Sequence, residues 1–213
     1  MQINESTAAK IAEYLLQIKA IKLQPNNPFT WASGLKSPIY SDNRLSLSHP
    51  AIRTFIKEAL AQEIKKNYPQ VEAIIGVATA GIAPGALVAD ALNLPFGYVR
   101  SEPKKHGMGK QVEGDIRPDM AVVVIEDLVS TGKSSLQAVS TLREFGSEVL
   151  GLASIFTYGL QIAEDNFLAA NCKLLSLCNY DALIETAVDK GYVNEADILV
   201  LKSWRTNPEA FGK

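Results

Sequence analysis

The sequence predicts an α/β fold in which a central parallel sheet is covered by helices on both faces. Three mainly apolar runs of strand length, at residues 71–77, 121–127 and 148–156, are each followed by a helical stretch. Strands that are apolar throughout are buried on both faces, and their alternation with helices is typical of parallel sheets. A chain of 213 residues is long enough for one such domain.

The other elements follow from local signals along the chain. Residues 6–21 carry apolar side chains at helical spacing, which predicts a first helix. A cap at Ser48 and a proline at Pro50 mark the start of a second helix, which should run to about Asn67. The remaining elements are two short extended pieces at 29–33 and 37–40, helices at 81–92 and 130–146, strands at 96–100 and near 174–177, and a helical tail.

Composition excludes several classes of protein. A formal net charge of −2 gives no global basic field for nucleic acid or acidic membranes, so a bound anion needs local donors. The two cysteines, Cys172 and Cys178, provide neither a disulfide framework nor the four ligands of a structural zinc site, and we expect them to be small apolar fillers. The chain shows no signal peptide and no apolar stretch of membrane-spanning length. We therefore expect a cytoplasmic protein without membrane or nucleic-acid partners.

The loop that follows the central strand is the most informative stretch. Glu126 and Asp127 end the strand, and hydroxyls at Ser130, Thr131 and Ser134 lie where the next helix opens. Small residues and hydroxyls at a helix N-terminus make an anion cradle. The two acids would repel a phosphate, so they suit ribose hydroxyls, the hydration shell of Mg²⁺ or a developing positive charge.

Two other interpretations of this loop account for it less well. Gly132-Lys133-Ser134 imitates the end of a nucleotide-binding P-loop, but that motif needs a glycine where this chain has Asp127. A plain strand-to-helix turn with serine capping would explain the hydroxyls, but it would not explain two adjacent acids.

This loop resembles the phosphoribosyl diphosphate (PRPP) signature of type I phosphoribosyltransferases. The resemblance implies the fold of that family, a central parallel sheet flanked by helices with a small N-terminal hood. It implies that Glu126 and Asp127 flank the ribose 2′- and 3′-hydroxyls and that residues 130–134 hold the 5′-phosphate. Most of the superfamily has Asp-Asp at the strand end, whereas Glu-Asp occurs in one bacterial branch of the orotate enzymes.

A second feature is the polar loop at 100–114. Its basic residues are Arg100, Lys104, Lys105, His106 and Lys110. Cations on a glycine-bearing loop can close over a polyanion, whereas the plain alternative is a solvated charged loop. The loop resembles the mobile catalytic loop of orotate phosphoribosyltransferases, Arg…Lys-x-His-Gly. That resemblance implies that Lys104 and His106 contact the leaving pyrophosphate, usually in the partner subunit's active site, and hence that the protein is a homodimer.

A third feature, residues 29–44, is on general grounds an edge hairpin. Its pattern F-x-x-x-SG-x-x-SP-x-Y resembles the hood of orotate phosphoribosyltransferases, which covers the base. A guanidinium matches the carboxylate of orotate, so Arg44 is assigned to it, with Lys36 as the other candidate. The glycine-bearing loop at 76–86 corresponds to the place where the family binds pyrophosphate.

The chain departs from the family pattern where many relatives carry lysine. The residues at these positions are Ala32, Ala80, Ser101 and Glu102. Lys105 is a candidate to supply the charge missing at 101 and 102, and backbone contacts would replace the side chain at 80.

The resemblance implies one domain over residues 1–213, with a hood at about 20–45, a core at about 68–160 and a C-terminal strand and helices at about 160–205. The implied reaction transfers phosphoribosyl from PRPP to orotate in pyrimidine (UMP) biosynthesis. It releases pyrophosphate, and its cofactor Mg²⁺ is held mainly through substrate. The alternatives are a phosphoribosyltransferase for a purine or uracil and a PRPP-sensing regulator.

The implied site residues fall into three groups. The catalytic residues are Lys104, His106, Glu126 and Asp127. The PRPP-binding residues are Arg100, Lys104, Lys105, His106, Glu126, Asp127, Leu128, Val129, Ser130, Thr131, Gly132, Lys133 and Ser134. The orotate-binding residues are Ser130, Arg44 and Lys36.

Overall fold

The computed structural model describes residues 4–30, 34, 36–100 and 111–211. Within these ranges the chain forms helices and strands in the following order: α1 (Glu5–Gln17), β1 (Ile21–Leu23), β2 (Phe29–Thr30), β3 (Lys36–Ser37), β4 (Ile39–Ser41), α2 (Pro50–Asn67), β5 (Ala73–Val77), α3 (Ile82–Leu92), β6 (Phe96–Val99), β7 (Val112–Glu113), β8 (Ala121–Val129), α4 (Lys133–Phe145), β9 (Glu148–Thr157), α5 (Gln161–Ala169), β10 (Leu174–Asn179), α6 (Tyr180–Asp189) and α7 (Ile198–Thr206). Short 3-10 helices span Asn43–Ser48 and Glu195–Asp197.

Six of the described strands form the central sheet, in the order β10-β9-β8-β5-β6-β7. All neighbouring pairs are parallel except β6 and β7, which are antiparallel. The predicted α/β fold with a central parallel sheet is therefore confirmed, with one short antiparallel strand added at its edge. The two hood ribbons, β1 with β4 and β2 with β3, are separate antiparallel pairs.

The two faces of the sheet are buried under different helices. In β8 the side chains of Val123 and Ile125 pack with α1, α2 and the C-terminal helices, whereas those of Val122 and Val124 pack with α4 and α5. This alternation follows from the two-residue period of a strand. It explains why the sequence of β8 is an unbroken apolar run, since neither of its faces meets solvent.

Three details differ from the sequence-based expectations. The first helix ends at Gln17 because residues from Ile21 onwards leave it to pair with β4. The residue at the N-cap of α2 is His49, with no side-chain capping bond, so the prediction of Ser48 as the cap was wrong. The strand β7 lies within a stretch that was predicted to be loop.

Two further predictions concern the cysteines and membrane-spanning segments. Cys172 and Cys178 are free and buried, as expected of small apolar fillers. No helix among the residues that the structure describes is long and apolar enough to cross a membrane.

Candidate active site

The end of β8 brings two acids to the carboxyl edge of the sheet. Strand alternation directs Glu126 towards α4 and Asp127 towards the hood. Glu126 is buried, and its carboxylate accepts hydrogen bonds from the hydroxyl of Ser135 at 3.3 Å and from the backbone N–H of Asp127 at 3.2 Å. The carboxyl group of Glu126 also lies close enough to that of Asp127 for the charge of Asp127 to raise its pKa.

This geometry makes both acids hold protons more tightly than usual. Burial and the neighbouring Asp127 raise the pKa of Glu126 to about 8. Burial also raises the pKa of Asp127, although the nearby positive charge of Arg44 opposes that effect. Two carboxylates that are largely removed from water are stabilised as anions when a positive charge binds beside them. The pair therefore suits a cationic sugar or a metal ion better than a phosphate.

The loop between β8 and α4, predicted to be an anion cradle, turns at a glycine that the packing requires. Gly132 adopts φ +77°, and a Cβ there would lie 2.7 Å from the ring of Phe167, so this position requires glycine. The side-chain amide of Asn166 donates to the carbonyl of Thr131 at 2.9 Å and fixes the loop from the α5 side. Lys133 and Ser134 are exposed at the start of α4, where the helix dipole favours an anion.

The hood reaches the same strand end from the opposite face. The side-chain amide of Asn43 donates to the main-chain carbonyl of Asp127 at 2.8 Å. Arg44 is held by Asp42, with 2.7 Å from Nε to Oδ1 and 3.0 Å from Nη2 to Oδ2. Its charge is close enough to lower the pKa of Asp127, so the structure brings Arg44 to the acids. Lys36 instead donates to Thr30 Oγ1 at 2.7 Å within the β2–β3 hairpin.

The loop between β5 and α3 packs directly against this edge. A Cβ at Gly81 would collide with the carbonyl oxygen of Ile125, the residue before the acids. The Ala78–Thr79 peptide bond is cis, and the N–H of Ala78 donates to the carbonyl of Val99 at 2.9 Å. The loop at 76–86 thus lies beside Glu126 and Asp127, as its place before α3 predicted.

Arg100 follows β6 at the same edge of the sheet. Its N–H donates to the carbonyl of Gln111 at 3.0 Å, and its Nη1 lies 3.8 Å from Oε1 of Glu113 in β7. The pairing of β6 with β7 therefore brings Arg100 and Gln111 side by side. Predictions for Lys104, Lys105 and His106 fall outside the described residues and stay predictions.

Besides Asn166 at the loop after β8, sequence reasoning missed three side chains that contact the acids or Arg100. Ser135 binds Glu126, Asn43 binds Asp127, and Glu113 pairs with Arg100. Ser135 was accessible from the pattern, since it directly follows the predicted cradle. Asn43 and Glu113 carry no sequence signal, because their contacts depend on how the hood and β7 are placed.

Comparison with known proteins agrees with this geometry. Residues 46–189 match the family model described as the phosphoribosyl transferase domain. The chain is 55% identical over 202 residues to the orotate phosphoribosyltransferase of Porphyromonas gingivalis, covering 95% of this chain and 96% of the relative. It is 54% identical over 208 residues to the orotate phosphoribosyltransferase of Listeria innocua, covering 98% and 100%.

The fold gives the same answer. The crystal structure of orotate phosphoribosyltransferase from Aeropyrum pernix superimposes with a TM-score of 0.72 at 28% identity, covering 86% of this chain and 99% of that one. The strand order, the acidic strand end and these near full-length similarities together show that the chain belongs to the phosphoribosyltransferases and, within them, to the orotate phosphoribosyltransferase family.

Proposed function

We propose that the carboxyl edge of the sheet is the place where this chain transfers phosphoribosyl from PRPP to orotate. A ring nitrogen of orotate gives up its proton, which passes to solvent or to the released pyrophosphate, and forms a bond to C1 of the sugar. The bond from C1 to the pyrophosphate oxygen breaks, and its electron pair leaves with that oxygen. The products are orotidine 5′-monophosphate and pyrophosphate. The observation that carries the proposal is the acidic pair, buried Glu126 and half-buried Asp127, between the loop that opens α4 and the hood.

The acids are assigned to the sugar. As the bond to pyrophosphate lengthens, the ribose ring gains positive charge, and two preorganised carboxylates stabilise that charge most in the transition state. Their raised pKa values support this role, because a buried acidic pair favours the arrival of positive charge. In the ground state their oxygens accept hydrogen bonds from the ribose hydroxyls.

The loop over 128–134 is assigned to the 5′-phosphate. Backbone N–H groups at the start of α4 and the hydroxyls of Ser130, Thr131 and Ser134 are suitable donors. Asn166 supports the loop through the carbonyl of Thr131. The phosphate thus anchors the sugar with C1 directed away from α4 and towards the hood.

The leaving pyrophosphate is assigned to Arg100, Lys104, Lys105 and His106, together with the loop at 76–86. Cations that neutralise the leaving group lower the barrier to departure. His106 can also donate a proton to the departing oxygen, or act by charge alone. We further propose that the 101–110 segment acts in the partner subunit of a homodimer, as the family resemblance implies.

Orotate is assigned to the hood side. Arg44 lies beside Asp127, and Asp42 engages only its Nε and Nη2 atoms. The Nη1 atom therefore keeps donors for the orotate carboxylate. Lys36 is the second candidate, and Ser130 is the candidate contact from the loop after β8.

Mg²⁺ fits this donor chemistry through substrate oxygens. Among the residues that the structure describes, no three acidic, histidine or cysteine side chains cluster as a metal site. The carboxylate of Asp127, with Glu126 behind it, offers hard oxygen ligands that suit Mg²⁺. When bound, the ion supplies charge neutralisation for the pyrophosphate and ribose oxygens.

The first test is the fall in orotate ultraviolet absorbance with PRPP and Mg²⁺, beside parallel assays with uracil and adenine. We expect loss of orotate that requires both additions, with no turnover of the other bases. Turnover of another base would move the protein to a different substrate. PRPP binding without any turnover would favour a PRPP-sensing regulator.

The shared site has its own test. A Lys104→Ala protein and an Asp127→Asn protein are each expected to be nearly inactive, whereas mixing their subunits restores one competent site per hybrid dimer. No recovery after subunit exchange would contradict the proposed sharing. We place the enzyme in the cytoplasm, because its substrates are small charged metabolites that do not cross membranes unaided.

A further inference from the structure

We propose that Asn43 is a positioning residue that sets the main chain of Asp127 and thereby ties the ribose subsite to the hood. The inference rests on the proposed role of Asp127. It goes beyond that role because Asn43 does not itself face the sugar in this proposal; it acts through the carbonyl group of the acid that does.

The contact is long-range and partly buried, and it engages both ends of the Asn43 amide. Asn43 is 2% exposed and lies 84 residues before its acceptor, the carbonyl of Asp127, at 2.8 Å. Its own amide oxygen accepts from the hydroxyl of Ser41 at 3.4 Å. Both ends of the amide are therefore engaged, and the side chain has one orientation that satisfies them.

The segment that carries Asn43 is itself held in place. Its main-chain carbonyl accepts from the hydroxyl of Ser46 at 2.7 Å, and the N–H of Asp42 donates to the carbonyl of Ala20 at 2.7 Å. The Ser41 hydroxyl also shares a hydrogen bond with the buried phenol of Tyr158. The main chain around Asn43 is thus held in place, so its side-chain amide reaches Asp127 from a fixed position.

The position of the bond in the sheet explains why it is needed. Pairing of β8 with β5 ends at Ile125, which lies opposite Gly76. Carbonyls two residues apart in a strand point the same way, so that of Asp127 is directed to a side where β5 no longer continues. A partly buried carbonyl is stabilised by a donor, and Asn43 provides the one that a neighbouring strand would have given.

The bond also links two subsites. Arg44, assigned to orotate, directly follows Asn43 in the chain, and Asp127 is assigned to the ribose. One hydrogen bond and one peptide link therefore fix the separation between the two groups that must hold the reacting partners. Such preorganisation acts on the rate, because small errors in the placement of reacting groups are costly.

The test uses the full chain with substitutions at Asn43 and a matched control. Asn43→Ala removes the donor, and Asn43→Asp keeps the size of the side chain while replacing the donor by an acceptor. Asn67→Ala is the control, because Asn67 also donates from its side-chain amide to a main-chain carbonyl, that of Glu63 at 2.9 Å, but lies at the far end of α2. Each protein is measured for melting temperature, for turnover and for binding of PRPP with Mg²⁺ by calorimetry.

We expect both Asn43 variants to lose about 10- to 100-fold in kcat and to bind PRPP more weakly, because the partly buried carbonyl of Asp127 would lose its donor. Asn67→Ala should keep wild-type turnover and PRPP affinity even if its melting temperature falls by as much. The decisive measurement is a double-mutant cycle. In an Asp127→Asn background, adding Asn43→Ala should change kcat and PRPP affinity by less than about threefold.

Several results would overturn the proposal. They are full additivity in the cycle, wild-type kcat and PRPP affinity in both Asn43 variants, or no effect of Asp127→Asn itself. Loss of activity that Asn67→Ala reproduces at equal melting temperature would reduce Asn43 to a general stabilising residue. If the wild-type protein does not consume orotate, the proposed function fails, but the PRPP titrations still decide the role of Asn43.

Discussion

The two sides of the β8 strand end are built in different ways. On the α4 side, Glu126, the cradle and Ser135 lie within one continuous stretch of ten residues, which Asn166 and Phe167 of α5 support from outside. On the hood side, Asp127 meets Asn43 and Arg44 only because a distant ribbon folds over it. The part of the site assigned to the phosphate is therefore mainly a local motif, whereas the part assigned to the base depends on tertiary assembly.

The largest effect is expected from removing Asp127, the acid that both sides share. Asp127→Asn keeps the size of the side chain and removes its charge, so stabilisation of the cationic sugar should be lost. We expect kcat to fall about 10²- to 10³-fold, the range typical of losing one preorganised electrostatic group. Initial rates of orotate consumption at saturating PRPP measure the effect.

Asp165→Asn is a suitable control for Asp127→Asn, since Asp165 bonds only Gln161 on the exposed face of α5 in the described contacts. It should leave kcat within about twofold. A loss of less than about threefold in Asp127→Asn would contradict the role assigned to this acid.

The second prediction tests the local side. Gly132→Ala places a methyl group against the ring of Phe167 in a left-handed backbone conformation, and both effects distort the cradle. We expect PRPP to bind about 10- to 100-fold more weakly and the melting temperature to fall. Calorimetric titration with PRPP and thermal unfolding provide the two readings.

Gly191→Ala is the matched control for Gly132→Ala. Gly191 also has a left-handed backbone, at φ +71°, but nothing lies within 4 Å of its added Cβ. The backbone cost should therefore be similar, while PRPP affinity stays at the wild-type value. Equal losses of affinity in the two variants would show that the crowded cradle is not what matters.

The third prediction tests the assembled side. Arg44→Gln removes the guanidinium assigned to the orotate carboxylate, and we expect the KM for orotate to rise about tenfold with little change in that for PRPP. Lys36→Gln is the comparison, since Lys36 bonds Thr30 within its own hairpin. A larger rise for Lys36→Gln than for Arg44→Gln would exchange the two assignments.

The smallest expected effect is on stability as a function of pH. The pKa of Glu126 is raised in the folded chain, so between about pH 4, where the free acid titrates, and about pH 8 the folded state binds more protons than the unfolded state. Stability contributed by this group is present at low pH and is lost as the pH rises through that window. Glu126→Gln should remove that loss.

Thermal unfolding of the two unliganded proteins at pH 5 and pH 8 checks this. The melting temperature of the wild type should drop more between the two values than that of Glu126→Gln, because the variant has no acid to ionise at that position. A parallel shift of the two proteins would exclude Glu126 as the source of the pH dependence.

The same division, between local motif and tertiary assembly, separates the features that the sequence predicts from those that it does not. The apolar run of β8, its two acids and the hydroxyl loop were predicted because local periodicity and turn chemistry determine them. The end of α2 at Asn67 was predicted for the same reason. By contrast, β7 is two residues long, too short for a period of two to be visible, and its partner β6 defines it.

The contacts of the hood show which features could not be predicted from the sequence. Arg44 was placed near the base by resemblance, and the structure brings it to Asp127. Nothing in the residues around Asn43 indicates that its amide meets a carbonyl 84 positions away. Such a bond depends on where the β1–β4 ribbon crosses the sheet, which is decided by packing of the whole domain rather than by local propensity.

The alternation of side chains along β8 has a consequence for how the gene can change. Exchanges among valine and isoleucine in this strand leave each residue on its own face, so substitutions of that kind are expected to be tolerated. Insertion or deletion of one codon before Glu126 would instead turn each acid towards the other's side of the sheet. The irregular register beside Val122 and Val123 lies well before the acids and is resolved by the time the chain reaches them. The number of residues in this strand is therefore expected to be constrained more strictly than the identity of its apolar side chains.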